Sequence, residues 1–172
     1  MSTEPSCCHG EKKPPRWKSY IPLLVIVSVT LLAATARQLT GEWNLRSWMH
    51  DWMGFFLVVF AMLKLFDLKG FTSGFQKYDL LAMSSRTYAM LYPFFELGLG
   101  LLYLSGAWPM ETYLFTAVLM TFGAIGVIIA LRKGLNVKCA CLGSFLEVPL
   151  STVALTEDLG MAAMAIVMLV LM

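Results

Sequence analysis

Five apolar runs separated by short polar stretches constrain this chain most: residues 20–36, 52–66, 90–107, 112–131 and 152–172. In lipid the backbone N–H and C=O groups have no water to bond, so such a run crosses as a helix, rising about 1.5 Å per residue. Run 20–36 reaches across with a few flanking residues. Run 52–66 is short, and ends near Lys64 and Asp67, whose heads are expected to snorkel to the interface. Only 14% of residues are charged and mean hydropathy is +0.70, whereas soluble domains carry about a quarter charged residues. The chain therefore reads as all-α, a polytopic membrane helix bundle over residues 19–172. Residues 1–18, rich in Pro and Lys, read as a disordered basic tail against the anionic membrane face.

Taken in order, the run Tyr20 to Ala36 has two readings. A basic stretch, an apolar core and Ala34-Thr35-Ala36 resemble a signal peptide with a small-residue cleavage site. The long preceding segment and Pro22 near the start of the core favour a retained helix. Arg37 to His50 reads as a polar loop with Trp43, Trp48 and Trp52 at a membrane boundary. Phe71, Phe75, Tyr78 and Ala82 fall at helical spacing and predict a short amphipathic helix lying on the membrane between 70 and 89. Gly126 and Ala130 form a small-xxx-small pattern that permits close helix contact. Ser151 is the expected cap of the last span.

Charge orients these spans. Four Lys and Arg lie in the tail, three in 67–89 and three in 132–138, joined by the snorkelling Lys64, against Arg37 and Arg46 on the other side. The positive-inside rule then puts the N-terminus and the 132–150 loop in the cytoplasm, in a multi-pass protein of the cell (inner) membrane. The partner established by this pattern is the lipid bilayer. The net charge of +2, with no basic–aromatic interleaving, gives no indication of nucleic-acid binding.

The chemistry-bearing residues fall in few places. Cys139 and Cys141 sit one residue apart after a basic run ending in Lys138. In extended backbone both thiols point the same way, and their disulfide would close a small strained ring, the exchange-active kind. Lys138 favours the thiolate. Two inert loop cysteines are the plain alternative. Cys7, Cys8 and His9 in the tail are three soft or borderline ligands in a row, which load a metal such as Cu(I) or stand as an incidental thiol pair. No other cofactor is indicated: there is no Gly-rich phosphate loop and no Ser/His/Asp set. Glu96 lies inside an apolar run, where a carboxylate needs a partner, and Lys64 is the nearest candidate in sequence. Such a pair is functional or simply locks two helices. Glu157 and Asp158 enter the last span and either face the cysteine loop or favour the positive helix N-terminus. Met161, Met164, Met168 and Met172 share one helix face, as a thioether ladder for Cu(I) or, more plainly, as packing surface.

Lys64-Leu65-Phe66-Asp67 with Phe71, then Tyr92-Pro93-Phe94-Phe95-Glu96-Leu97-Gly98, then Cys139-Ala140-Cys141-Leu142-Gly143 with Pro149 and a final span resemble the MauE/DoxX family. These are methylamine-utilisation and related redox-associated integral membrane proteins, and the resemblance covers roughly residues 50–172. Their common motif is Cys-Gly-Cys-Phe-Gly, from which Ala140 and Leu142 depart. The resemblance implies a four-helix core, with 20–36 as one added N-terminal transmembrane helix. It also implies a role assisting disulfide formation or electron delivery for exported partners, such as the small subunit of methylamine dehydrogenase. Similar sequences joined to heavy-metal-binding modules fit Cys7, Cys8 and His9. Two functions follow: thiol–disulfide exchange through Cys139 and Cys141, with a thioredoxin-like partner, or soft-metal (copper or mercury) handling with a metal-chaperone protein.

Overall fold

Side chains or a glycine satisfy free backbone groups at several helix ends. The computed structural model describes residues 21–39, 41, 43–77, 79, 81–133 and 150–171. Among these are six helices and no strand: α1 (Ile21–Gln38), α2 (Leu45–Phe66), α3 (Leu68–Phe75), α4 (Arg86–Ser105), α5 (Pro109–Arg132) and α6 (Leu150–Val170). Asn44 caps α2 by accepting from the N–H groups of Arg46 and Ser47. Asp67 closes α2 and caps α3, its carboxylate accepting from the Gly70 N–H at 2.9 Å. Ser85 caps α4, and Gly106 at φ 67° ends it in the left-handed conformation that favours glycine.

Helices α2, α4 and α5 are long and apolar enough to cross a membrane. Apolar helices α1 and α6 have 18 and 21 residues. The most extensive contacts join α2 to α4 and α5 to α6; α4 against α5 and α2 against α6 close a four-helix ring. Helix α1 lies on the α2 side of that ring, and α3 packs on α4 and α2. One core cluster joins α3 to the start of α4, the end of α5 and the start of α6, through Phe71, Phe75, Tyr92, Val127 and Ala154. A second fills the rest of the bundle around Phe60, Leu57, Tyr103 and Met120.

Glycine sets the distance between α2 and α4. A Cβ built on Gly54 would stand 2.9 Å from the Tyr103 Cβ, and one on Gly100 would stand 2.9 Å from the Val58 backbone nitrogen. The two backbones touch there, as lipid-embedded helices do where small residues meet.

Several boundaries differ from those expected. Helix α2 starts at Leu45, so Trp48 and His50 belong to it and not to a loop. The Asn44 cap, the tilted contact of Trp43 with Trp48 and the stacking of Trp48 on Trp52, each at 6.2 Å, stabilise that added length. Helix α3 stops at Phe75, and its aromatic face packs on the bundle, with Phe75 4.6 Å from the Tyr92 ring. A turn held by Asp79, which accepts from the N–H groups of Leu81 and Ala82, replaces the rest of the expected helix. Tyr78 lies outside the described residues. Helix α6 begins at Leu150, so Ser151 falls within it and not before it.

Candidate functional site

Charge at membrane depth is costly unless it is matched, and three helices meet here to match it. Lys64 stands in the last turn of α2, Glu96 midway along α4 one turn after Pro93, and Glu157 in the second turn of α6. The Lys64 Nζ donates to both Glu96 oxygens at 2.7 Å and to Glu157 Oε1 at 3.0 Å. The Lys64 and Glu96 side chains are 2% and 0% exposed. The ammonium also lies 5.4 Å from the Tyr92 ring centroid and 5.9 Å from those of Phe60 and Phe71, within cation–π range. Asp158, buried beside Glu157, turns toward α5: its Oδ2 lies 2.8 Å from where a Cβ on Gly123 would be. A side chain at 123 would require that carboxylate to shift.

The described residues thus gather one ammonium and three carboxylates in the core. Glu157 Oε2 is buried and has no hydrogen-bond partner among them. Carboxylates thus outnumber the ammonium in this part of the described core. Outside the spans, burial pushes the Asp79 carboxyl up, opposed by the N–H groups of Ala82 and Leu81 that bond to it.

Lys64 was expected at the interface; the structure buries it instead, because two carboxylates inside the bundle satisfy the ammonium. Glu157, too, turns to Lys64. Met161 and Met168, 2% and 0% exposed, are packed in the second core cluster, which is the packing role of a methionine stripe. Met172, Cys7, Cys8, His9, Cys139 and Cys141 lie outside the described residues. Among the described residues no three His, Cys, Asp or Glu side chains are grouped to hold a metal ion.

A second polar group, at the opposite end of the bundle, went unread in the sequence. Asp51 accepts from Gln38 Nε2 at 3.0 Å and pairs with Arg37 Nε at 3.4 Å. His50 Nε2 is 2.7 Å from the Tyr103 carbonyl, which can only accept, so in the neutral ring Nδ1 accepts from the Tyr113 hydroxyl at 2.7 Å. A cavity of about 280 Å³ opens beside them, with Asn44, Arg46 and Tyr113 in its wall. The signal was available: Ser47, His50 and Asp51 repeat at helical spacing.

The model of the methylamine utilisation protein MauE matches residues 44–171. The chain belongs to the MauE family. The matched MauE region begins at the cap of α2 and ends with α6, so it holds the four-helix ring and α3, while α1 lies outside it. Lys64, Glu96, Glu157, Cys139 and Cys141 all fall within the MauE match. No curated protein and no solved structure matches the chain.

Proposed function

We propose that this MauE-family protein is a thiol–disulfide exchange protein of the membrane, with Cys139 and Cys141 as the exchanging pair. Its partner is a dithiol or disulfide protein of the thioredoxin-like class, in a methylamine-utilisation setting as the family's description has it. In one direction the Cys139–Cys141 disulfide takes two electrons and two protons from a partner dithiol. Two thiols then stand at 139 and 141, and the partner holds the new disulfide. The reverse reaction delivers two electrons and two protons to a partner disulfide.

The observation that carries this reading is the buried Lys64–Glu96–Glu157 cluster. It lies next to Phe71 and Tyr92, in the end of the bundle where α5 stops and α6 starts, and Cys139 and Cys141 stand in the connection between those two helices. Carboxylates are the groups that a two-proton exchange can use at the end of the bundle that this connection leaves and re-enters.

Titration of the purified protein against glutathione redox buffers tests the reading. A reversible two-electron transition is expected, absent in Cys139→Ser and Cys141→Ser, with a mixed disulfide accumulating in one of the single variants. Tight Cu(I) binding against a competing chelator, without a redox transition in the glutathione range, would replace exchange by soft-metal handling.

A further inference from the structure

The cavity of about 280 Å³ at the far end of the bundle from Lys64 lies between the starts of α2 and α5, walled by Asn44, Arg46, Ser47, His50, Pro109 and Tyr113. Asn44 and Ser47 are exposed and Arg46 is half-buried, so their side chains can be reached from outside. The side-chain acceptors in this wall are engaged. Asn44 Oδ1 accepts from the N–H groups of Arg46 and Ser47, Ser47 Oγ accepts from Gln38 Nε2 at 3.0 Å, and His50 Nδ1 accepts from Tyr113. What is left among the described residues is donors: the Asn44 Nδ2 amide, the Ser47 hydroxyl hydrogen and the Arg46 guanidinium.

The charge around these donors has one sign. Among the described residues no acidic side chain lines the cavity, and Arg46 makes no ion pair. Asp51 is held by Arg37 and Gln38 of α1, and Glu111, between Pro109 and Tyr113 in the chain, is exposed and outside the wall. Three donor groups, one of them a cation, fit an anion with several oxygens. A carboxylate offers two; a phosphate group offers more, and the guanidinium fork matches two of them at once. We infer that this cavity binds a phosphate group through Arg46, Ser47 and Asn44. Trp48 stacked on Trp52, and Trp108 exposed at the start of α5, mark this end as headgroup depth, which puts the phosphate of a phospholipid within reach. A free phosphate carries the same chemistry. The inference is independent of the exchange chemistry proposed for Cys139 and Cys141.

The full chain in neutral maltoside micelles, titrated with dihexanoylphosphatidylglycerol and with dihexanoylglycerol against empty micelles, provides the test. The phospholipid is expected to bind saturably and at least about tenfold more tightly than the lipid without phosphate. Arg46→Gln should bring the two affinities together. Asn44→Asp keeps an acceptor for the cap of α2 but puts a carboxylate in place of a donor, so it too should remove the preference while the fold stays intact. Inorganic phosphate is the competing probe: displacement of the phospholipid assigns the cavity to free phosphate as well, and failure to displace it assigns the cavity to the headgroup. Equal affinity for the lipid without phosphate, or a preference that survives both Arg46→Gln and Asn44→Asp, would overturn the inference.

Discussion

Lys64 has three acceptor oxygens within 3.0 Å, supplied by two different helices. Removing it leaves two buried carboxylates without that counter-ion, so Lys64→Ala should cost about 3–5 kcal/mol of stability. Reversible denaturation in mixed micelles measures this. Lys64→Ala with Glu96→Ala should lose less than the sum of the single variants, and strictly additive losses would contradict the coupling. Because Glu96 contributes both its oxygens and Glu157 one, Glu96→Gln should lower stability more than Glu157→Gln. The cost of a carboxylate in an apolar run was enough to point from Glu96 to Lys64 in the sequence. Nothing linear pointed to Glu157, which lies 93 residues from Lys64 and reads equally well as a helix-start acid.

At the scale of elements, the same residue type plays two roles on α4. A Cβ on Gly100 meets the Val58 backbone at 2.9 Å, whereas one on Gly98 meets nothing within 4 Å. Gly100→Ala should therefore push α2 from α4 and cost about 1–3 kcal/mol. Gly98→Ala should be neutral or gain up to about 1 kcal/mol, since glycine is a poor helix former. Thermal unfolding of the two variants side by side decides it; equal effects would mean that the helices do not touch at Gly100. Sequence alone cannot separate two glycines on one helix, because the difference lies in the neighbour. Element boundaries were misread for a similar reason. Residues 45–51 look polar enough for a loop, yet Gln38 and Asp51 satisfy one another across α1 and α2, and such pairing is invisible along one strand of text.

For the whole molecule, the apolar runs were sufficient to read an all-helical membrane bundle, since lipid leaves the backbone few other options. The ring of α2, α4, α5 and α6 with α1 added beside it follows the division that the family resemblance implied. Orientation rests on charge. With Lys64 buried, it leaves the tally of interfacial cations, but every remaining Lys and Arg except Arg37 and Arg46 still falls on the side assigned to the cytoplasm. Cys139 should thus resist a membrane-impermeant maleimide in intact cells and react after permeabilisation, in a variant lacking the other three cysteines. Labelling of intact cells would invert the bundle and expose the thiol pair to the oxidising side.

The shared Lys64–Glu96–Glu157 contact also has a timetable. Of the three helices that share the contact, the ribosome makes α2 first and α6 last, with Glu157 following Lys64 by 93 positions. At about 5–20 residues per second, the ammonium waits on the order of 5–20 s for its second carboxylate. A lone lysine deep in lipid costs about 2.5–3.5 kcal/mol on insertion scales. During that interval α2 is best retained at the insertion machinery and not released into the bilayer. A nascent chain halted before α6 carries Lys64 with one of its two carboxylate partners missing, a mark by which membrane proteases would distinguish unfinished molecules from finished ones.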